Sequence, residues 1–168
     1  MKRKLGIAAI LGIAMILLLF FLPGGMSLVI TDKAGHVYYT KEVTPGDTVS
    51  LGFRHSVEKV LVVDTFVVTE DCMLYLKNTT YGSMGAGLPS DKSYNITTDR
   101  HGNFTIEDIG ITYDQIGFMT LDINKYYIIV SGETCQLAGV VPHEKPLILS
   151  VERDTPIKMH INRIRTLI

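Results

Sequence analysis

The segment FRHSVEKVLVVDTFVV, residues 53–68, carries two reactive groups on faces that are otherwise apolar. Val49, Leu51, Phe53 and Val57 alternate on one side of a strand, and His55 falls on that same side. Val60, Val62, Phe66 and Val68 repeat the pattern, with Asp64 in phase. Period-two alternation marks a half-buried strand, so both groups are expected on the buried face of adjacent strands. If the chain turns at Glu58 and Lys59, His55 faces Val62 and Asp64 faces Phe53. Imidazole and carboxylate then become diagonal neighbours on one face. A buried carboxylate needs such a partner or takes up a proton. The pair reads either as a satisfied core contact that fixes the hairpin register, or as an acid/base or metal site.

Other arrangements are excluded by geometry. Ser56 follows His55, but neighbours in a strand point to opposite faces and cannot form a dyad. YGSMG, residues 81–85, has Tyr81 where a nucleophile elbow needs glycine, and no helical pattern follows it. Metalloprotease, phosphate-loop and dinucleotide fingerprints are missing from the sequence, and no cofactor is expected. His36, His101, His143 and His160 are expected as solvated side chains in loops or on exposed strand positions. Gly82, Gly85 and Gly87 leave backbone amides open, as an anion nest or as a turn crossing between sheets.

These residues follow a hydrophobic N-terminal segment. Lys2, Arg3 and Lys4 precede 18 uncharged residues, Leu5–Leu22, and Pro23-Gly24-Gly25 ends the run. As a helix the run spans roughly 27 Å, close to a bilayer's ~30 Å apolar core. It is longer than a signal-peptide core and lacks a good cleavage site. Residues 1–25 are therefore read as a retained signal anchor that crosses the cell membrane through residues 5–22. The basic residues hold the N-terminus in the cytoplasm, and residues 26–168 form an extracytoplasmic domain. The 16 basic and 17 acidic residues leave no excess that would recruit nucleic acid.

Outside the cytoplasm an even cysteine count permits a disulfide, so Cys72 and Cys135 either bridge or remain separate thiols. Three N-x-[ST] sequons, at Asn78, Asn95 and Asn103, are either glycosylation acceptors or the by-product of threonine-rich strands.

After residue 25 the sequence reads as strands between turns: MSLVITD, HVYYTKEV, TVSLGFRHSV, KVLVVDTFVV, CMLYLKNT, YNITTD, FTIEDI, GFMTLDI, KYYIIVSG, TCQLAGVV, LILSVER and IKMHINRI. Thr44-Pro45-Gly46-Asp47 is a strong turn and Arg100–Asn103 a hairpin signal. The expected fold is all-β: an antiparallel sandwich or open barrel of about ten short strands behind one transmembrane helix.

FRHSVEK followed by GSMGAGLP resembles the Domain of Unknown Function 1850 family. Its H-S-V-E motif corresponds to His55, Ser56, Val57 and Glu58, its acidic position to Asp64, and its glycine loop to Gly85, Ala86, Gly87 and Pro89. The family more often has glutamate at the acidic position, with aromatic residues nearby; here Phe66 alone fills that role. The resemblance implies a small exported protein of no established activity, encoded beside TAXI-type TRAP solute transporters. Together these readings favour a binding or accessory module for such a transporter, with His55, Ser56, Glu58, Asp64, Gly85, Gly87 and Pro89 on its interaction surface. The alternatives are a metal-assisted hydrolase using His55, Glu58 and Asp64, and a structural envelope protein.

Overall fold

A computed structural model describes residues 24–55, 59–82 and 95–154, together with Gly12. The expected anchor and the expected last strand, IKMHINRI, lie outside the described residues. Among the described residues eleven strands follow in order: β1 Met26–Asp32, β2 Val37–Val43, β3 Thr48–Arg54, β4 Leu61–Val68, β5 Leu74–Tyr81, β6 Asn95–Thr98, β7 Phe104–Tyr113, β8 Gln115–Met119, β9 Tyr127–Val130, β10 Glu133–Gln136 and β11 Pro146–Arg153. They form two antiparallel sheets, β2-β1-β11-β8 and β10-β9-β3-β4-β5-β7-β6.

The inner faces of the two sheets share one core. Leu28, Ile30, Leu147 and Leu149 of the smaller sheet meet Val49, Leu51, Phe66 and Ile128 of the larger. Each set is spaced by two along its strands, so the alternation read from sequence is the alternation that packs. The protein is therefore a β-sandwich. Turn chemistry sets the connections: Gly46 takes φ 93° in the turn into β3, and Asp47 N donates to Thr44 O at 3.0 Å. Between β7 and β8 the chain changes sheets within one residue, Asp114. In β7, Asp108 and Gly110 have φ 54° and 73°, and beside them the pairing with β5 slips between Leu76 and Asn78. This is a bulge that bends the strand.

The sandwich has two distinct ends. At one, Gly25 and Asp154 meet, with Asp154 N donating to Gly25 O at 2.8 Å. Arg153 also reaches the β4–β5 turn there, donating to Glu70 O. At the other end lie the β3–β4 loop, Gly82 at the end of β5, the β6–β7 hairpin, and the segments before β9 and after β10.

Candidate functional site

The β3–β4 hairpin forms as expected, but its register differs by two residues. Leu51 pairs with Asp64, and Phe53 with Val62. His55 is opposite Val60, with His55 N donating to Val60 O at 2.8 Å. The loop therefore holds four residues, 56–59, and Lys59 closes it at φ 59° with its N donating to His55 O. An even slip keeps both groups on the same face but moves them apart. His55 stands four residues beyond Leu51, roughly 13 Å along the strand at ~3.3 Å per residue. The expected His55–Asp64 contact is thereby corrected, and the two side chains are too far apart to ligate one ion at ~2 Å.

Asp64 takes its hydrogen bond from β5 instead. Thr79 Oγ1 donates to Asp64 Oδ1 at 2.8 Å, because Asp64 and Thr79 are register partners. Burial raises the Asp64 carboxyl above its usual range, against the opposing pull of that hydrogen bond. Burial also raises Tyr81, and the nearby Asp64 charge adds to it. Tyr126 is raised first by burial and further by Asp64, while a hydrogen bond with Asn124 opposes. Asp64 thus lies between the main core and a second apolar cluster of Val62, Tyr81 and Ile106.

Aromatic rings close the core beside it. Phe53 from the larger sheet stacks on Tyr126 at 5.1 Å, and Tyr126 meets Phe118 from the smaller sheet at 5.3 Å. Asn124 ties this segment to β3, since Arg54 N donates to Asn124 O at 2.6 Å. Asn124 Oδ1 is buried without a hydrogen-bond partner among the described residues.

At this rim lies a recess of about 530 Å³ with Leu121, Tyr126, Leu137, Ala138 and Val141 in its wall. Asp122 and His143 on its edge are paired, Oδ1 to Nε2 at 2.9 Å. A second recess of about 410 Å³ adjoins it across Lys125 and Gln136, with Arg54, Lys59, Leu61 and Tyr127 around it. Sequence patterns did not single out these residues. They come from segments as far apart as Arg54 and His143; Arg54 and Lys59 fall within FRHSVEK, where neither is a motif position.

The remaining expectations divide as follows. Ser56, Glu58, Gly85, Gly87 and Pro89 lie outside the described residues. Cys72 and Cys135 are both free thiols. Cys135 stands in a lateral row with Ile128, Leu51 and Asp64, three strands from β4, and Cys72 lies beyond the end of β4. Three steps of ~4.8 Å already exceed the ~7 Å a disulfide allows, so of the two alternatives the separate thiols are the one found. Of the sequons, Asn95 is exposed; Asn78 is held mid-sheet between Thr65 and Glu107. Asn103 Nδ2 already donates to Asp99 Oδ2 at 2.7 Å. His36 and His143 are not merely solvated, since each pairs with an aspartate, Asp32 and Asp122 respectively.

The structure is thus a small all-β module of two sheets, with its recesses among the loops at one rim and its half-buried acid within the larger sheet. The profile of the domain of unknown function DUF1850 matches residues 49–137, and the chain belongs to that family. The matched stretch runs from β3 through β10, covering the whole larger sheet and much of the rim. No curated protein and no solved structure matches the chain.

Proposed function

We propose that the protein is a membrane-anchored extracytoplasmic binding module that assists a solute transporter of the TAXI-type TRAP class. The observation that carries this reading is the polarity of the sandwich. The chain enters at Gly25, beside Asp154, while the recesses, the end of β3 and the start of the glycine loop lie at the opposite rim. The seven residues of β1 separate the ends by roughly 20 Å at ~3.3 Å per residue. A domain tethered through residues 5–22 would turn its entry end to the bilayer and hold the rim out towards an extracytoplasmic partner. The basic residues Lys2, Arg3 and Lys4 support the outward orientation.

The test is solute uptake in cells lacking the protein, resupplied with the wild type or with a version released from the membrane by a cleavable export signal. Uptake by the cognate transporter should fall in the deletion strain and return in full only with the anchored form. Unchanged uptake in the deletion strain would refute the accessory role. Equal rescue by the released form would refute the need for tethering.

A further inference from the structure

We propose that the two adjoining recesses bind a small amphipathic anion, its apolar body in the larger recess and its carboxylate at the rim between Lys125, Arg54 and Lys59. This deepens the binding reading above by naming a ligand class.

The larger recess, about 530 Å³, lies within the ~300–1,000 Å³ usual for small-molecule sites. Leu121, Leu137, Ala138 and Val141 give it an apolar wall, and Tyr126 is fixed there by its stacking on Phe53. Among the described residues, the acid and the histidine lining it, Asp122 and His143, are paired with each other, Oδ1 to Nε2 at 2.9 Å. The smaller recess has the opposite chemistry. Arg54, Lys59 and Lys125 line it, with no carboxylate beside them among the described residues. None of the three has an ion-pair partner among the described residues.

Three cations in one recess, without ion-pair partners among the described residues, are notable in a chain of net charge −1. They repel one another, and an anion relieves that repulsion. The fold also restrains them. Arg54 Nε donates to Lys59 O at 2.8 Å, which orients the guanidinium, and Arg54 N is held by Asn124 O. Lys125 and Gln136 form the wall shared by both recesses, so a ligand lying against the apolar side brings its charged end to Lys125. Apolar burial supplies affinity, and the charge-assisted hydrogen bonds select an anion over a neutral molecule of the same shape.

The experiment is isothermal titration calorimetry on the full-length protein in phosphatidylcholine nanodiscs, with empty nanodiscs as blank. Octanoate should bind at least about tenfold more tightly than 1-octanol, which lacks the charge, and than acetate, which lacks the body; one charge-assisted hydrogen bond supplies a factor of this size. Raising the salt should weaken octanoate and leave octanol unchanged. Lys125→Met and Arg54→Gln should each weaken octanoate about tenfold while keeping the wild-type melting temperature. Ala138→Trp, at an exposed position that fills the apolar recess, should abolish binding. Octanol binding as tightly as octanoate, or charge variants that bind as the wild type does, would overturn the proposal. A parallel titration with phosphatidylglycerol vesicles distinguishes the source of the anion: binding of vesicles without binding of octanoate would overturn a free solute in favour of a lipid. Calorimetry needs no transporter, so failure here leaves the accessory role to its own uptake test.

Discussion

Thr79→Val should destabilise the protein, and by an amount that depends on pH. Thr79 is 4 % exposed, and its hydroxyl donates to Asp64 Oδ1 at 2.8 Å. Valine keeps the β-branched shape suited to β5 and removes only the donor. A hydrogen bond to a charged acceptor contributes about 1.5–3 kcal/mol, against about 1 kcal/mol for a neutral one. The new methyl group returns roughly 0.8 kcal/mol of burial. The net loss is therefore about 1–2 kcal/mol while Asp64 is ionised, and close to zero once it is protonated. The ionisation follows from burial, which raises the Asp64 carboxyl above its usual 3.8. The folded state then holds this proton to higher pH than the unfolded chain does. As pH rises from near 3.8 through the raised folded value, the wild type loses stability, and the cost stands in full above that window. Urea unfolding of the full-length chain, followed by tyrosine near-ultraviolet circular dichroism at pH 4 and pH 8, reads both effects. Thr79→Val should lower the midpoint clearly at pH 8 and little at pH 4. Asp64→Asn should gain stability over the wild type at pH 8 and flatten the profile. An equal loss at both pH values, or an Asp64→Asn variant less stable than the wild type at pH 8, would refute the account of Asp64 as a carboxylate held against its solvation by a single hydroxyl.

Three further outcomes are expected. A Cβ at Gly52 would lie 2.1 Å from the Tyr127 ring carbon Cζ, so Gly52→Ala should displace the ring and cost about 1–3 kcal/mol; that cost should vanish in a Tyr127→Ala background, as a double-mutant cycle of melting curves would show. Asp32 accepts hydrogen bonds from Tyr38 and from the backbone of Ala34 and His36; burial works to raise its carboxyl, but these bonds together hold it well below the usual range. Its contribution is present above pH 3.8 and lost as pH falls through the folded value, so Asp32→Asn should destabilise at pH 7 and converge on the wild type in strong acid. Mass spectrometry after alkylation of the unfolded, unreduced protein should find two labelled thiols, Cys72 and Cys135; an unlabelled oxidised pair would contradict their separation across the sheet.

The sequence by itself determined the strands, most of the turns and the fold class. Apolar residues at every second position in VVDTFVV and LILSVER specify which face is buried, and that information is local. Pro45-Gly46 fixes a turn through backbone conformation alone, and the motif around His55 and Asp64 identifies the family. Tertiary structure decided the register. A two-residue and a four-residue loop between β3 and β4 bury the same face, so alternation cannot tell them apart; the pairing of Leu51 with Asp64 can, and it separates Asp64 from His55. It also supplied the partner of Asp64, Thr79, from a third strand. The rim recesses are its work as well. Arg54, Lys125 and Gln136 are ordinary residues in sequence, and they acquire a common surface only because β9 pairs with β3 and β10 with β9. Periodicity records how each segment meets the core, whereas a site made of loops depends on which segments the sheet order brings to the same end.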